Sequence, residues 1–322
     1  MKYSKIIGVG SYLPEKVLTN ADLEKIVNTD DKWIRERTGI EQRHVAEDGE
    51  LCSDLAVAAA SDAIKKAGVN VSDIGLIIVA TSTPDKLFPS TACIVQQKLG
   101  VSQGAAFDIV AACSGFIYAL SVADKYVSSG AVDSALVIGA ETYSRILNWN
   151  DRNTCVLFGD GAGAVVLKAD NKPGIIATDI ASDGRYDDLL GVSWGASQGY
   201  DNLTDENRWF EMRGNEVFKH AVKTLAKMIV DTLENNGYSK DTPYWLVPHQ
   251  ANIRIIQSTA KKVGLDPARV IITVGKHANT SAASIPLALD AGLTDGRIKE
   301  NELVILEAFG GGLTWGSALV KF

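Results

Sequence analysis

The chain has 322 residues, 46% of them hydrophobic and 22% charged, which is typical of a soluble globular protein. Its formal net charge of −7 argues against broad nucleic-acid binding, and no apolar run reaches the roughly 18 residues that a membrane span needs. The N-terminal segment MKYSKIIGVGSYL lacks the apolar core and cleavage site of a signal peptide. We therefore expect a cytoplasmic protein that binds neither nucleic acid nor membranes.

Four cysteines occur in the sequence: Cys52, Cys93, Cys113 and Cys155. No two of them form a CxxC pair, so a zinc site, or any other metal site, is not expected. In a chain of this length without a secretion signal, we expect reduced thiols instead of a disulfide scaffold. Three of the four are interpreted as small buried apolar residues, and Cys113 is treated separately below.

The predicted elements recur in the same order in two parts of the chain, which indicates a duplication. The apolar strands are short and do not alternate with polar residues, as is typical of strands covered on both faces. We predict an α/β fold of two halves, about 1–170 and 171–322, each with a mixed sheet covered by helices. In chain order, the matched segments are a helix end leading into a strand (63–81 and 232–249), a helix closed by glycine (92–101 and 255–265), a longer helical segment (113–130 and 279–296) and two strands (135–141 and 303–309, 163–168 and 316–321).

The duplication brings three polar residues into relation. Cys113 lies 17 residues before Gly130, and Asn279 lies 17 residues before Gly296, so we expect equivalent positions at the start of a helix. If a pseudo-twofold axis relates the halves, Cys113 and Asn279 meet near that axis. His249 directly follows the apolar strand YWLVP and would arrive from the neighbouring strand end.

Cys113 lies between the strand-like run FDIVAA and the helical pattern GFIYALSVADKYV. We expect free N–H groups at the helix start to stabilise a thiolate, with His249 helping to form it. Taken alone, Cys113 is better interpreted as a buried structural cysteine. The repeat and the two partner residues favour a catalytic nucleophile.

The segments VPHQAN and HANTSAAS, and the glycine loops, supply the other candidate site residues. Taken alone, His249 is better interpreted as structural and Asn279 as a helix N-cap, and a functional role for Asn279 depends on the family resemblance given below. In that role, a neutral imidazole at His249 and the amide of Asn279 can both donate hydrogen bonds to one developing oxyanion. His277 is interpreted as structural. The loops FGDGAG and FGGG precede strands, which is the wrong order for a dinucleotide-binding site. The N–H groups of Gly311 and Cys113 are instead a candidate oxyanion hole for a thioester carbonyl.

These motifs belong to a series of blocks that runs through nearly the whole chain: IIGVGSYLPEKVLTNADLEK, WIRERTGIEQRH, FPSTAC, AACSGF, FGDGAGAVVL, GNEVFK, VPHQANIRII and LEAFGGGLTWGSALVKF. In this series the chain resembles the β-ketoacyl-acyl-carrier-protein synthase III family of the thiolase-like superfamily. The resemblance implies a thiolase-like duplicated fold, with two pseudo-twofold-related halves and layers in the order α-β-α-β-α.

The resemblance also implies an activity, the start of type II fatty-acid biosynthesis by an acyltransferase. Cys113 would take the acyl group from a primer acyl-CoA, with acetyl-CoA as the expected primer. Malonyl-acyl-carrier protein would then lose carbon dioxide, with His249 and Asn279 stabilising the enolate. The carbanion would attack the Cys113 thioester to give β-ketoacyl-carrier protein. Beyond these substrates, no cofactor is expected.

The resemblance assigns coenzyme A binding to Trp33, Arg37 and Arg152. Trp33 and Arg152 would hold the adenine between them, and Arg37 would meet a phosphate. Phe88, in FPSTAC, matches a residue that reaches into the acyl pocket of a partner subunit, which implies a homodimer. Ala278 stands where the family commonly has glycine, so we expect a slight displacement of the Asn279 loop.

A basic helix face is expected to dock the acyl carrier protein. Arg254, Lys261 and Lys262 have the spacing of one helix face, with Lys219 nearby. An acidic carrier protein is the natural partner of such a patch. The poorly matching segment 184–210 is expected to shape or cover the acyl pocket.

Other functions stay open on the sequence. A related condensing enzyme of secondary metabolism would keep Cys113 but use a different acceptor. A non-catalytic acyl-CoA-binding protein is disfavoured by the intact set of Cys113, His249 and Asn279. A thiolase proper is disfavoured because the glycine-rich C-terminal loop carries no second cysteine.

Overall fold

Apolar runs form strands and amphipathic segments form helices in a computed structural model, which describes residues 2–322. The strands are β1 (Tyr3–Tyr12), β2 (Val17–Thr19), β3 (Gln42–His44), β4 (Leu76–Ala80), β5 (Ala105–Ile109), β6 (Ser134–Glu141), β7 (Gly161–Asp170), β8 (Ile175–Ser182), β9 (Leu190–Val192), β10 (Phe210–Met212), β11 (Trp245–Pro248), β12 (Leu303–Gly310) and β13 (Thr314–Lys321). The helices are α1 (Asn20–Leu23), α2 (Asp31–Thr38), α3 (Cys52–Ala67), α4 (Thr91–Leu99), α5 (Gly115–Ser128), α6 (Gly214–Asn235), α7 (Ile253–Val263), α8 (Val274–His277) and α9 (Ser284–Thr294).

Two mixed sheets repeat one strand arrangement, as the sequence predicted. The first sheet has the order β1-β7-β6-β4-β5, and the second has the order β8-β13-β12-β11. In the first, β4 pairs in parallel with β6, and β7 is antiparallel to both β6 and β1. In the second, β11 pairs in parallel with β12, and β13 is antiparallel to both β12 and β8. Four strands of each sheet therefore correspond, and β5 is an additional edge strand of the first.

The helices form three layers around the two sheets. Phe116 and Leu120 of α5 and Leu289 of α9 are buried in one core that also contains Val137 of the first sheet and Leu306 of the second. Helices α3 and α4 cover the outer face of the first sheet, and α6 and α7 cover that of the second. Full burial of a leucine or phenylalanine side chain stabilises the fold by about 1.5–3 kcal/mol relative to leaving it exposed. The predicted α-β-α-β-α layering is confirmed.

The two central helices begin in the same way but differ in length. A 3-10 turn precedes each of them, Ala112–Ser114 before α5 and Ser281–Ala283 before α9, and the two turns contact each other. Helix α5 has 14 residues and α9 has 11. Cys113 therefore corresponds to Ala282, and Asn279 lies two residues before its turn. The expected equivalence of Cys113 and Asn279 is wrong, because the shorter α9 offsets the equal spacing to the two glycines.

The described residues also bear on membranes and metals. Within residues 2–322, no helix combines the length and apolar character that crossing a bilayer would require. Nor does that part of the chain bring together three His, Cys, Asp or Glu side chains in an arrangement that could hold a metal ion.

Candidate active site

A cavity of about 660 Å³ brings the three predicted catalytic residues together. Cys113, His249 and Asn279 all line it, and each is at most 6% exposed. They come from the 3-10 turn before α5, the end of β11 and the segment between α8 and α9. The layered fold therefore directs three side chains that are distant in sequence into one enclosed space.

Cys113 lies in the turn that begins α5, after Ala112 at a φ of 44°. No side chain caps this helix, and the Ser114 hydroxyl instead donates to the carbonyl of Ala111 at 2.8 Å. Burial raises the pKa of the Cys113 thiol to about 12, whereas a hydrogen bond with Ser281 acts in the opposite direction. The expectation of a thiolate in the resting site finds no support, because desolvation of the sulfur outweighs these opposing contacts.

His249 is fixed at its backbone and at one ring nitrogen. Its N–H donates to the carbonyl of Glu307 at 2.8 Å, which extends the pairing of β11 with β12 by one residue. Its Nδ1 lies 2.6 Å from the hydroxyl of Ser284, and that hydroxyl also accepts the N–H of Gln250 at 3.3 Å. Burial lowers the pKa of His249 to about 3, so the imidazole is neutral near pH 7. With Nδ1 partnered, Nε2 is the ring nitrogen available to the cavity.

Asn279 is held at its backbone and at its side-chain oxygen. Its N–H donates to the carbonyl of Leu157, and its carbonyl accepts the N–H of Gly159, both at 3.0 Å. Its Oδ1 accepts the N–H of Ser281 at 2.9 Å. Because the oxygen is occupied in this way, the NH₂ end of the amide is the free end. Ala278, before it, is buried at a φ of 57°, a conformation that costs a residue other than glycine about 1–3 kcal/mol.

The glycine loop between β12 and β13 lies directly against the Cys113 turn. A Cβ added at Gly310 would lie 2.7 Å from the nitrogen of Cys113, so only glycine allows this approach. A Cβ added at Gly311 would lie 2.7 Å from the carbonyl oxygen of Leu190 and 3.6 Å from the side chain of Ala112. The two residues predicted to form an oxyanion hole are therefore close neighbours.

A second cavity of about 200 Å³ also reaches Cys113. Tyr143 and Phe210 supply aromatic wall, and both pack on Phe158 with ring centres 4.8 Å away. The segment 184–210 contributes four wall residues, so it lies beside Cys113. The full lining is Ser82, Ala112, Cys113, Tyr143, Ile146, Leu190, Gly191, Val192 and Phe210.

Trp33 and Arg37 line the larger cavity, where α2 borders it. The guanidinium carbon of Arg152 lies 4.7 Å from the centre of the Trp33 ring, and that of Arg37 lies 5.6 Å from it. An adenine stacked between the Trp33 ring and the Arg152 guanidinium would need these two planes to be roughly 7 Å apart. Arg152 therefore occupies the face of Trp33 that the predicted adenine sandwich would use, and it must move before a base can enter.

The predicted docking residues form an exposed surface beside the larger cavity. Lys219 lies on α6, and Arg254, Lys261 and Lys262 lie on α7, opposite the buried face of that helix. Arg254 also lines the larger cavity, with its guanidinium carbon 5.5 Å from the centre of the Phe218 ring.

Phe88 lies away from both cavities, 83% exposed. Leu87 beside it is 62% exposed, and Val110, which follows the edge strand β5, is 75% exposed. Val110 therefore places exposed apolar surface at the end of β5, the edge strand of the first sheet in the part of the chain that the structure describes.

Three residues in contact with the site were not foreseen from the sequence. Ser281 and Ser284 lie in the motif NTSAAS, and only the position of that motif beside Asn279 pointed to them. Glu141 ends the strand ALVIGAE, and nothing in its local pattern distinguishes it from a strand-end carboxylate.

Known proteins are similar to this chain in sequence and in fold. Family models for 3-oxoacyl-[acyl-carrier-protein (ACP)] synthase III match residues 107–184 and, for its C-terminal part, 233–322. The β-ketoacyl-[acyl-carrier-protein] synthase III of Alkalilimnicola ehrlichii is 59% identical, with 100% of each chain covered. The crystal structure of 3-oxoacyl-[acyl-carrier-protein] synthase III from Aquifex aeolicus has a TM-score of 0.93 at 45% identity, covering 99% of this chain and 100% of that one. The priming β-ketosynthase of the R1128 polyketide pathway has a TM-score of 0.94 at 32% identity, covering 99% of this chain and 96% of that one.

Proposed function

This chain belongs to the 3-oxoacyl-[acyl-carrier-protein] synthase III family, and from that premise we propose the reaction that it catalyses. The reaction is a decarboxylative Claisen condensation of a primer acyl-CoA with malonyl-acyl-carrier protein. Its products are β-ketoacyl-carrier protein, carbon dioxide and CoA, and it initiates type II fatty-acid biosynthesis. The single observation that carries the proposal is that Cys113, His249 and Asn279 line one cavity, while Cys113 also lines a second.

In the first half-reaction, the sulfur of Cys113 attacks the thioester carbonyl of the acyl-CoA. The N–H groups of Cys113 and Gly311 donate hydrogen bonds to the oxyanion that forms. The bond to the CoA sulfur then breaks, and that sulfur takes up the proton released by the Cys113 thiol. The acyl group then lies in the cavity of about 200 Å³. Acetyl, the expected primer, is small enough for this space.

In the second half-reaction, the malonyl group loses carbon dioxide and becomes an enolate. The hydroxyl of Ser284 accepts the Gln250 N–H and donates its own proton to Nδ1 of His249, which leaves the ring proton on Nε2. The Nε2–H of His249 and the free amide of Asn279 donate to the enolate oxygen. The enolate carbon attacks the Cys113 thioester, the carbon–sulfur bond breaks, and Cys113 leaves as a thiolate that takes a proton from water to restore the thiol.

The substrates reach the site from the mouth of the larger cavity. Trp33, Arg37 and Arg152 bind the CoA moiety there, and the basic surface of Lys219, Arg254, Lys261 and Lys262 docks the acidic carrier protein. Charges of opposite sign mainly set the rate of encounter and the choice of partner. No cofactor takes part besides these substrates.

The assembly is a homodimer, and the protein is cytoplasmic. The exposed edge strand β5 and the apolar surface of Phe88, Leu87 and Val110 support association of two copies, because such surfaces are seldom left uncovered. In the dimer, Phe88 reaches the acyl pocket of the other subunit. The two halves of the duplication are 1–170, which carries the nucleophile, and 171–322, which carries His249 and Asn279.

The proposal is tested by supplying acyl-CoAs of increasing length together with malonyl-acyl-carrier protein and measuring the condensed product. We expect β-ketoacyl-carrier protein from acetyl-CoA, and none from the Cys113→Ala variant. A wild-type protein that becomes acylated but passes the acyl group only to other acceptors would instead support a relative of the priming ketosynthases. A protein that binds acyl-CoA and never becomes acylated would be a binding protein.

A further inference from the structure

We propose that Glu141 is a positioning residue that holds the amide of Asn279 toward the larger cavity, acting through Ser281. The inference rests on the proposed function, because it depends on the role given there to Asn279 in decarboxylation. Glu141 itself takes no part in the steps of the condensation.

Glu141 is the last residue of β6 and is fully buried. Three hydroxyl groups donate to its carboxylate, those of Thr83 at 2.6 Å, Ser281 at 3.1 Å and Thr81 at 3.3 Å. The N–H of Ser82 lies 3.1 Å from both carboxylate oxygens. All of these donors are uncharged, so the contacts orient the loop 81–83 and Ser281 instead of forming an ion pair.

Ser281 connects this carboxylate to the site. Its hydroxyl donates to Oε1 of Glu141, and its N–H donates to Oδ1 of Asn279 at 2.9 Å. It adopts a φ of 48°, which an L-residue keeps only where its surroundings hold it there. The hydrogen bond of its hydroxyl with Glu141 and that of its N–H with Asn279 stabilise this conformation. The carboxylate, the serine and the amide therefore form one chain of contacts that ends at the NH₂ group facing the cavity.

The same carboxylate also reaches the smaller cavity. Ser82, whose N–H it accepts, lines the space of about 200 Å³ beside Cys113. Glu141 thus fixes a wall residue of one cavity and, through Ser281, a hydrogen-bond donor of the other. It does so across the duplication, because Glu141 belongs to the first sheet and Ser281 precedes the central helix α9.

Replacing Glu141 by glutamine keeps the shape of the side chain and removes one of its two acceptor oxygens. One oxygen becomes an NH₂ group, which donates and cannot accept from a hydroxyl. Three donors meet Oε2 and two meet Oε1, so the oxygen of the glutamine stays on the Oε2 side. Its NH₂ group then faces Ser281, whose hydroxyl loses its acceptor. Ser281→Ala breaks the same chain from the other end, because it removes the hydroxyl and keeps the N–H that binds Asn279. It also removes the hydrogen bond with the Cys113 thiol, so its acylation rate is compared with that of Glu141→Gln, which keeps the Ser281 hydroxyl.

The experiment measures the two half-reactions separately in Glu141→Gln, Ser281→Ala and the double variant. Acylation of Cys113 by acetyl-CoA is followed by mass spectrometry, and carbon dioxide release is followed from labelled malonyl-acyl-carrier protein. We expect kcat for decarboxylation to fall about 10- to 100-fold in each single variant, the range for a misplaced catalytic group. KM for malonyl-carrier protein should stay within about twofold, because no binding contact changes. The double variant should be no slower than the slower single variant, because both break one chain.

Ser121→Ala is the matched control, since it removes one buried hydroxyl whose partner, Thr178, lies 2.9 Å away and lines neither cavity. It should leave both half-reactions at the wild-type rate. Should Glu141→Gln fail to fold, Ser281→Ala alone tests the link. Full decarboxylation by Ser281→Ala, or additive losses in the double variant, would overturn the inference. If the wild-type protein itself releases no carbon dioxide, it is the proposed function that fails.

Discussion

The hydroxyl of Ser284 lies 2.6 Å from Nδ1 of His249, and it also accepts the N–H of Gln250. A hydroxyl that already accepts one hydrogen bond is free to donate its proton to the ring. We infer that the hydroxyl donates to Nδ1, because no other acceptor for its proton lies within hydrogen-bond distance among residues 2–322. The imidazole proton is then on Nε2, which gives the tautomer able to donate to an enolate oxygen. Ser284, on the first turn of α9, thus sets the tautomer of His249 at the end of β11.

Ser284→Ala should lower the rate of decarboxylation about 10-fold or more, because the tautomer is no longer selected. It should also lower the free energy of unfolding by about 1–3 kcal/mol, since the Gln250 N–H loses its partner. Carbon dioxide release and urea unfolding measure the two effects. Acylation of Cys113 should be unchanged; a variant that loses acylation and keeps decarboxylation would contradict this role for Ser284.

The rate of Cys113 acylation should depend steeply on pH. Burial raises the pKa of the thiol to about 12, so the thiolate fraction grows roughly tenfold for each unit of pH below that value. Alkylation by iodoacetamide between pH 7 and pH 9 measures this directly, with alkylation of a small free thiol as the reference. A rate that is already constant above pH 7 would mean that the start of α5 stabilises a thiolate in the resting protein after all.

Glu307 should make the protein less stable as the pH rises. Both of its carboxyl oxygens are buried without a hydrogen-bond partner within residues 2–322, and burial raises its pKa to about 8. The folded protein keeps this proton up to about pH 8, whereas the unfolded chain loses it above about pH 4.5. The contribution of Glu307 to the free energy of unfolding is therefore fully present below pH 4.5. It is lost as the pH rises toward 8, by at most about 1.4 kcal/mol per pH unit.

Glu307→Gln removes this titration and keeps the shape of the side chain. The variant should gain stability over the wild type at pH 8 and gain little at pH 5, as measured by urea unfolding at the two values. An equal difference at both pH values would show that Glu307 is ionised in the folded protein.

Arg152 should contribute to the binding of CoA and little to the chemistry. Arg152 leaves the face of Trp33 when CoA binds and stacks on the adenine instead. Arg152→Ala removes this cation–π contact with the base, worth about 0.5–2 kcal/mol, so KM for acetyl-CoA should rise up to about 30-fold with kcat unchanged. Arg297→Ala is the matched control, because it removes a partly exposed arginine whose ion pair, among the described residues, is with Asp295. A fall in kcat with KM unchanged would argue against the assignment.

Local sequence patterns were sufficient for most of the fold. The apolar strands and the glycine-closed helices follow from short-range periodicity, and their recurrence predicted two halves with mixed sheets, whereas the order of the layers was implied by the family resemblance. Cys113, His249 and Asn279 could be named because each lies in a motif at the end of an element. The position of Asn279 relative to the repeat was wrong by three residues, because the length of α9 cannot be inferred from the spacing of two glycines.

Contacts between distant parts of the chain could not be predicted. Glu141 and Ser281 are 140 residues apart, and Ser284 meets His249 across 35 residues. Only the packed fold brings them together, and the surrounding residues of each are those of an ordinary strand or helix end. The high pKa of Cys113 was missed for the same reason, since burial of the sulfur depends on elements from both halves.

The central claim is that Cys113 carries the acyl group while His249 serves only the second half-reaction. It is tested most directly by mass spectrometry of the Cys113 peptide after mixing the His249→Ala variant with acetyl-CoA, with carbon dioxide release from malonyl-acyl-carrier protein measured on the same sample. The account predicts an acetyl group on Cys113 and a loss of decarboxylation of about 100-fold or more. An unmodified Cys113 in the wild-type protein, or full decarboxylation by the variant, would contradict it.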